Sequence, residues 1–249
     1  MTSAAPRNPQ RIVGGELTTI DKYPSMAVVI MTGDMINFIH VCAGTIINNR
    51  SILTAAHCIL PVEHIRVRLG SSYAHSGGEV LVLSDAIRHP EFDPETLLND
   101  IGIFRTASAI QYTDKIQRAP IAGPNYNLAD NQTVWATGWG LTEYMGDSSE
   151  QLREVQVWTV NQEICRSRFA AINTTVTPEM LCTGWLDVGG RDQCEGDSGG
   201  PVYHHGIVVG VCSFGEECAL ASHPGVNMRV SSYTSWIQEV IYESLSKAK

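Results

Sequence analysis

Three polar residues have the types that catalyse attack on a carbonyl carbon. Ser198 lies in the glycine-rich segment DQCEGDSGGP. A serine hydroxyl is a poor nucleophile at neutral pH and needs a base within hydrogen-bonding distance. His57, in the segment TAAHC, can accept the serine proton and later donate it to a leaving group. Asp100, in the segment NDIGIF, can orient the imidazole and stabilise its protonated form.

Each of these residues alone also has an ordinary structural interpretation. A histidine beside a cysteine often just accompanies a disulfide, an aspartate after an asparagine often forms a turn, and a serine between glycines often belongs to a tight loop. The three together, in this order along the chain, favour a catalytic interpretation.

The elements that must position these residues are predicted to be strands. Short β-rich runs, separated by Gly, Pro, Asn and Asp, indicate an all-β sandwich or barrel. The clearest runs are 25–31, 65–69, 80–83, 101–104, 134–137, 155–160, 207–213 and 226–230. Residues 107–131 have a weaker strand signal and could link two halves. One helix is predicted over 231–245, capped by Ser231 or Ser232, because its apolar residues recur on one face.

Composition excludes several classes of protein. The 249 residues are 43% hydrophobic and 17% charged, which indicates a globular chain and not a disordered one. The net charge of −9 argues against nucleic acid or an anionic membrane as a partner. Apolar runs such as 26–31 are too short to span a bilayer.

The cysteines and the sequons favour secretion. There are seven cysteines, and none forms a C-x-x-C pair, so disulfides formed outside the cytosol are expected. Asn49, Asn131 and Asn173 each begin an N-x-S/T triplet, which fits a secreted protein, although chance often produces such triplets. Residues 1–11 have no apolar core of the kind a signal peptide needs.

Four segments together, RIVGG at 11–15 and the three that contain His57, Asp100 and Ser198, resemble the trypsin-like serine proteases. The resemblance runs from Ile12 to the terminal helix. It implies two six-stranded antiparallel β-barrels with a C-terminal α-helix and an active site between the barrels. Residues 1–11 are expected to be a propeptide or a leftover of recombinant expression. The first barrel is expected over about 12–115, the second over about 120–230, and the terminal helix over 231–245.

The resemblance also implies how the nucleophile is assisted and switched on. The backbone N–H groups of Gly196 and Ser198 would form an oxyanion hole. Arg11–Ile12 matches the activation cleavage site of the family. The freed Ile12 amine would pair with Asp197, which orders the oxyanion loop and the specificity pocket. His40 would hold Asp197 in the uncut precursor.

The family pocket predicts cleavage after Arg or Lys. Asp192 stands at the position that would bind the substrate cation. Three positions depart from the residues usual in trypsins: Gln193, Asn227 and Phe214. The first two departures resemble those of some insect trypsins, and the preference for Arg over Lys is left open. The pocket walls match Ser213, Phe214, Gly215 and Gly225. Three glutamates match positions at the rim of the pocket: Glu195, Glu216 and Glu217. They could form a solvated acidic edge, or they could discriminate against substrates with acidic residues near the cut.

Sequence alone does not determine disulfide connectivity. The family pairing implies Cys42–Cys58, Cys165–Cys182 and Cys194–Cys218. Cys212 is left over, in an apolar run, and is expected to be a buried and inert thiol. No metal or cofactor is expected, because the segment 70–80 offers only one carboxylate where many trypsins bind calcium.

The expected protein is therefore a secreted, extracellular and monomeric endopeptidase. Its partners would be protein and peptide substrates with Arg or Lys before the cut, and proteinaceous serine protease inhibitors, with no nucleic acid and no membrane. One alternative is a cascade or reproductive-fluid protease of narrow specificity. Another is an inactive protease homologue, which the retention of all three catalytic residue types disfavours.

Overall fold

The computed structural model describes residues 12–247. It has thirteen strands and two α-helices, α1 (Gln162–Ala170) and α2 (Val230–Lys247), joined by turns and loops. The strands are β1 (Glu16–Leu17), β2 (Met26–Met31), β3 (Ile39–Ile46), β4 (Ser51–Thr54), β5 (Ile65–Leu69), β6 (Glu79–Arg88), β7 (Gly102–Thr106), β8 (Thr133–Gly138), β9 (Arg153–Thr159), β10 (Met180–Gly184), β11 (Pro201–His204), β12 (Ile207–Phe214) and β13 (Gly225–Arg229).

The first barrel is a closed ring of six antiparallel strands in the order β2-β3-β4-β7-β6-β5. Strand β5 shows why the sequence closes this way. Its residues Ile65, Val67 and Leu69 are fully buried, while Arg66 and Arg68 between them are half-exposed. Alternation with a period of two gives each strand one apolar face, and a closed ring turns all those faces inward.

The second barrel closes through six strands in the order β8-β9-β10-β13-β12-β11, and β11 then pairs with β8. Strand β1 adds to the outside of this ring by pairing with β9. The expectation of two six-stranded antiparallel barrels is therefore confirmed. The expected weak region 107–131 contains no strand and connects the barrels.

The terminal helix is confirmed, but it begins at Val230, so Ser231 and Ser232 lie inside it and do not cap it. A second helix, α1, was not predicted from the sequence. Asn161 caps it, because its side-chain oxygen accepts hydrogen bonds from the N–H groups of Glu163 and Ile164. In the part of the chain that the structure describes, neither helix is long and apolar enough to cross a membrane.

Three disulfides are present among the described residues. Cys42–Cys58 joins β3 to the turn after β4, Cys165–Cys182 joins α1 to β10, and Cys194–Cys218 joins two loops of the second barrel. These are the pairs that the family resemblance implies. Cys212 is free and buried, and burial raises the pKa of its thiol well above the usual value. A thiol of raised pKa carries little of the reactive thiolate, so Cys212 is a packing residue.

Candidate active site

Strand pairing in the first barrel brings His57 and Asp100 together. Thr54 at the end of β4 pairs with Gly102 at the start of β7, so the segments that follow β4 and precede β7 meet at one end of the barrel. His57 lies in the short 3-10 turn just after β4. Its Nδ1 is 2.7 Å from Asp100 Oδ2, and its backbone N–H donates to Asp100 Oδ1 at 2.8 Å.

Asp100 is fully buried and has a third donor, from the other barrel. The hydroxyl of Ser213 in β12 donates to Asp100 Oδ2 at 2.5 Å. Hydrogen bonding to the charged form stabilises a buried carboxylate. Ser213 therefore links the two barrels at the His57–Asp100 pair, a role that the sequence, which places Ser213 only in a pocket wall, did not indicate.

The loop that carries Ser198 is held against the first barrel by its backbone. The N–H of Ala43 in β3 donates to the Ser198 carbonyl at 2.8 Å, and the sulfur of Cys58 lies 3.6 Å from the same oxygen. Ser198 is thus next to the turn that contains His57. No hydrogen bond joins the Ser198 hydroxyl to His57 among residues 12–247. Catalytic hydrogen bonds commonly tighten only when substrate is bound.

Glycines allow this close approach. A Cβ at Gly199, which has a φ of +79°, would lie 2.2 Å from the Thr54 hydroxyl oxygen. Gly196 has a φ of +90°, a conformation open to glycine and strained for other residues. The amide N–H groups of Gly196 and Ser198 have no acceptor among the described residues. Two free backbone donors beside a nucleophile can stabilise a developing oxyanion.

A cavity of about 290 Å³ opens at Ser198 and contains Asp192. All four residues expected in its walls line it: Ser213, Phe214, Gly215 and Gly225. Asp192 is buried and accepts hydrogen bonds from the backbone N–H groups of Gln193, at 2.9 Å, and Ala219, at 3.1 Å. Burial raises its pKa to about 7, since the carboxylate loses water and these two bonds only partly replace it.

The walls leave space around this carboxylate. A Cβ at Gly225 would lie 2.6 Å from Asp192 Oδ1, so any side chain there would collide with the carboxylate or displace it. Phe214 packs edge-on against Phe169 of α1, at 6.0 Å between ring centroids. Gln193 also lines the cavity, and both polar atoms of its buried amide lack a hydrogen-bond partner among the described residues.

The segment after the expected activation site packs beneath this cavity. Ile12 is fully buried, and the Asp192 N–H donates to the Val13 carbonyl at 3.1 Å. Asp197 is also fully buried. It accepts from the N–H groups of Gly140, at 2.8 Å, and Cys194, at 3.0 Å, but from no group of Ile12. Burial raises the pKa of Asp197 to about 6. Arg11 lies outside the described residues.

His40 is close to the same loop. A Cβ at Gly196 would be 3.2 Å from His40 Cε1, and burial lowers the pKa of His40 to about 4. Its Nε2 has no partner in the part of the chain that the structure describes.

The cluster closest to a metal-ligand geometry in residues 12–247 consists of His57, Cys42 and Cys58. The two sulfurs are bonded to each other and are not the thiolates that a metal would bind. No cofactor or metal chemistry is therefore assigned to this group.

Two antiparallel barrels with serine, histidine and a buried aspartate at their junction define a class, the two-barrel serine hydrolases. The sequence model of the family "Trypsin" matches residues 12–237. "Trypsin, alkaline C" of Manduca sexta is 60% identical over 237 residues, 94% of this chain and 93% of that protein. "Trypsin CFT-1" of Choristoneura fumiferana is 52% identical over 95% of this chain and 93% of its own length. "Achelase-1" of Lonomia achelous is 54% identical over 91% and 99%.

The chain belongs to the trypsin family of serine proteases and is a serine endopeptidase.

Proposed function

We propose that this endopeptidase is secreted, is activated by cleavage between Arg11 and Ile12, and hydrolyses peptide bonds after Arg or Lys. The observation that carries the proposal is the buried carboxylate of Asp192 in a cavity that reaches Ser198. A buried carboxylate is costly unless a cation pairs with it, so the cavity selects a cationic side chain of the substrate.

Catalysis begins at the hydroxyl of Ser198, which attacks the carbonyl carbon of the bond to be cut while His57 accepts its proton. The oxyanion that forms is stabilised by the N–H groups of Gly196 and Ser198. His57 then donates the proton to the leaving amine, and an acyl-enzyme remains. Water, deprotonated by His57, hydrolyses the acyl-enzyme. Asp100 holds the imidazole through Nδ1 and stabilises its protonated form.

The pocket explains both what is selected and what is disfavoured. The planar guanidinium of Arg can pair with two carboxylate oxygens of Asp192, while the ammonium of Lys acts as a compact charge. Glu195 and Glu217 also line the cavity and would repel substrates with acidic residues near the cut.

The environment of Ile12 and Asp197 supports the proposed activation. Ile12 has a φ of +42°, which is unfavourable for a β-branched residue. Cutting the Arg11–Ile12 bond removes this torsion and creates an ammonium group on Ile12, which would pair with the buried carboxylate of Asp197. The ion pair would offset the desolvation of Asp197 and, through the Asp192–Val13 hydrogen bond, stabilise the pocket. Because the enzyme would itself cut after Arg, slow self-activation is expected.

Secretion and a digestive role are supported by the three disulfides and by the alkaline trypsins among the relatives. Arginine outnumbers lysine by thirteen to four, which suits an alkaline fluid, because lysine loses its charge at a lower pH than arginine. Protein substrates and proteinaceous serine protease inhibitors would be the partners of a monomer.

The test is a cleavage profile on a peptide library. Wild-type and Arg11→Gln chains are incubated with immobilised trypsin, which is then filtered off, and Ser198→Ala treated identically reports any carried-over trypsin. Only the sample that begins at Ile12 should cut, and it should cut after Arg and Lys. Cleavage after other residues would contradict the specificity, and full activity of Arg11→Gln with residues 1–10 attached would contradict the activation.

A further inference from the structure

A second cavity, of about 580 Å³, lies on the second barrel and contains none of the residues proposed for catalysis. Two tryptophans line it, Trp158 of β9 and Trp185, with ring centroids 5.3 Å apart and ring planes inclined at 41°. Trp185 is 40% exposed, which is unusual for a large aromatic side chain. Asp130 and Asn161 form a polar edge, and they hydrogen-bond to each other at 2.7 Å.

One of the three sequons opens into this cavity. Asn131, in Asn131-Gln132-Thr133, lines it and is exposed, and its side chain has no hydrogen bond in the described part of the chain. Asn131 turns the backbone with a φ of +57°, and its N–H donates to the Thr159 carbonyl at 2.8 Å. Thr133 then pairs directly with Trp158 across the sheet. Backbone pairing therefore holds the sequon beside the tryptophan.

The geometry points to Asn131 as an N-glycosylation site whose first sugar packs on Trp158 and Trp185. One face of an N-acetylglucosamine ring presents C–H groups, which contact the negative face of an aromatic ring favourably. Its hydroxyl and amide groups can hydrogen-bond to Asp130 and Asn161. Arg191 lies over both indole rings, 5.8 Å from the Trp158 centroid and 5.2 Å from the Trp185 centroid, but it is not among the residues that line the cavity.

The modification replaces one bond by another. The side-chain amide nitrogen of Asn131 attacks C1 of the first sugar of a lipid-diphosphate oligosaccharide donor. The bond from C1 to the phosphate oxygen breaks, the lipid diphosphate leaves, and the amide loses one proton to solvent. The threonine at the third position completes the triplet that marks the acceptor.

The other two sequons provide internal controls. Asn49 and Asn173 are both exposed, and neither lines the cavity that contains the two tryptophans. A glycan on either residue would have no aromatic surface of this cavity to contact. A stabilising effect specific to Asn131 would therefore report the cavity and not glycosylation in general.

The inference requires passage through the secretory pathway, which belongs to the proposed function. The experiment therefore adds a leader sequence and uses a secreting eukaryotic host, so that its result is independent of natural secretion. The Ser198→Ala chain is used, because it does not digest itself. Peptide mass mapping should find Asn131 occupied, unoccupied in Thr133→Ala, and occupied again in Thr133→Ser. An unoccupied Asn131 would overturn the inference.

Packing of the sugar is tested after an endoglycosidase has trimmed each glycan to a single N-acetylglucosamine. The trimmed protein should melt about 2–4 °C above Thr133→Ala, corresponding to about 1 kcal/mol for a chain of this size. The difference should disappear in a Trp185→Ala background and persist with Trp185→Phe. Acrylamide should also quench tryptophan fluorescence less in the glycosylated protein, a readout that needs no tryptophan variant. Equal melting and equal quenching with and without the sugar would overturn the packing.

Discussion

The two halves of the active site treat buried carboxylates differently. In the first barrel, Asp100 has three donors, two from His57 and one from Ser213. In the second barrel, Asp192 and Asp197 are equally inaccessible, but each has only two backbone donors, and burial raises the pKa of both. The first carboxylate has its partners within the fold, whereas the other two have no cationic partner among the described residues.

The difference suggests a division of tasks. A carboxylate with internal donors keeps one geometry, which orienting a catalytic imidazole requires. A desolvated carboxylate without a cation gains most when a cation arrives, which is what selection of a substrate side chain or activation by a new amino terminus requires. Predictions that perturb each carboxylate separately can test this division.

The largest loss of activity is expected from removing the Ser198 hydroxyl, because the carboxylates of both barrels would act on the reaction at this group. Replacing Ser198 by Ala removes the proposed nucleophile, on which both halves would act, so turnover of an Arg amide substrate should fall about 10⁶-fold. Amidolysis measures the loss, and circular dichroism should show an unchanged fold. A residual rate close to that of the wild type would remove Ser198 from the proposed mechanism.

Asp100→Asn perturbs the first barrel's carboxylate, whose hydrogen-bond partners lie within the fold. The amide cannot stabilise protonated His57 and favours the wrong tautomer, so kcat should fall about 10⁴-fold, as is typical of this change in triad serine proteases. KM for the Arg substrate should change little, because the Asp192 cavity is untouched. A rise in KM with kcat preserved would show that Asp100 acts on binding instead.

Asp192→Ser removes the second barrel's carboxylate in the substrate cavity. The substrate cation would enter the cavity without a counter-charge, so kcat/KM for Arg and Lys substrates should fall about 10³-fold, equivalent to about 4 kcal/mol. Reactivity toward a small sulfonyl fluoride, which needs Ser198 and His57 but no cation, should persist. Unchanged cleavage after Arg would exclude Asp192 as the selector.

The smallest effect is a pH dependence of cation binding. Because burial raises the pKa of Asp192 to about 7, its charged form predominates above that pH and is lost below it. The affinity for benzamidine, a cation without a scissile bond, should be constant on the alkaline side and fall towards tenfold per pH unit below about 7. Constant affinity down to pH 6 would mean that Asp192 is ionised there and would weaken the comparison with Asp100.

The strands and the missed helix show why sequence prediction succeeded in one place and failed in another. Strand β5 was predicted with its observed bounds because its apolar residues alternate. Helix α1 has only Cys165 and Phe169 buried, so no continuous apolar stripe indicates it. Its detectable signal was local, an asparagine cap at Asn161 followed by Glu163 in the first turn.

The sequence by itself indicated an all-β fold and the candidate residues, because those depend on residue types, on their order and on patterns within a few positions. The two-barrel architecture was implied only by the resemblance of four segments to the trypsin-like serine proteases. Only the tertiary structure decided which groups meet. Ser213 reaches Asp100 across 113 residues, and the Asn131 sequon comes to lie beside Trp158 because Thr133 of β8 pairs with Trp158 of β9. It also decided the pKa values of Asp192 and Asp197, because desolvation depends on atoms that distant segments bring around a carboxylate once both barrels have closed.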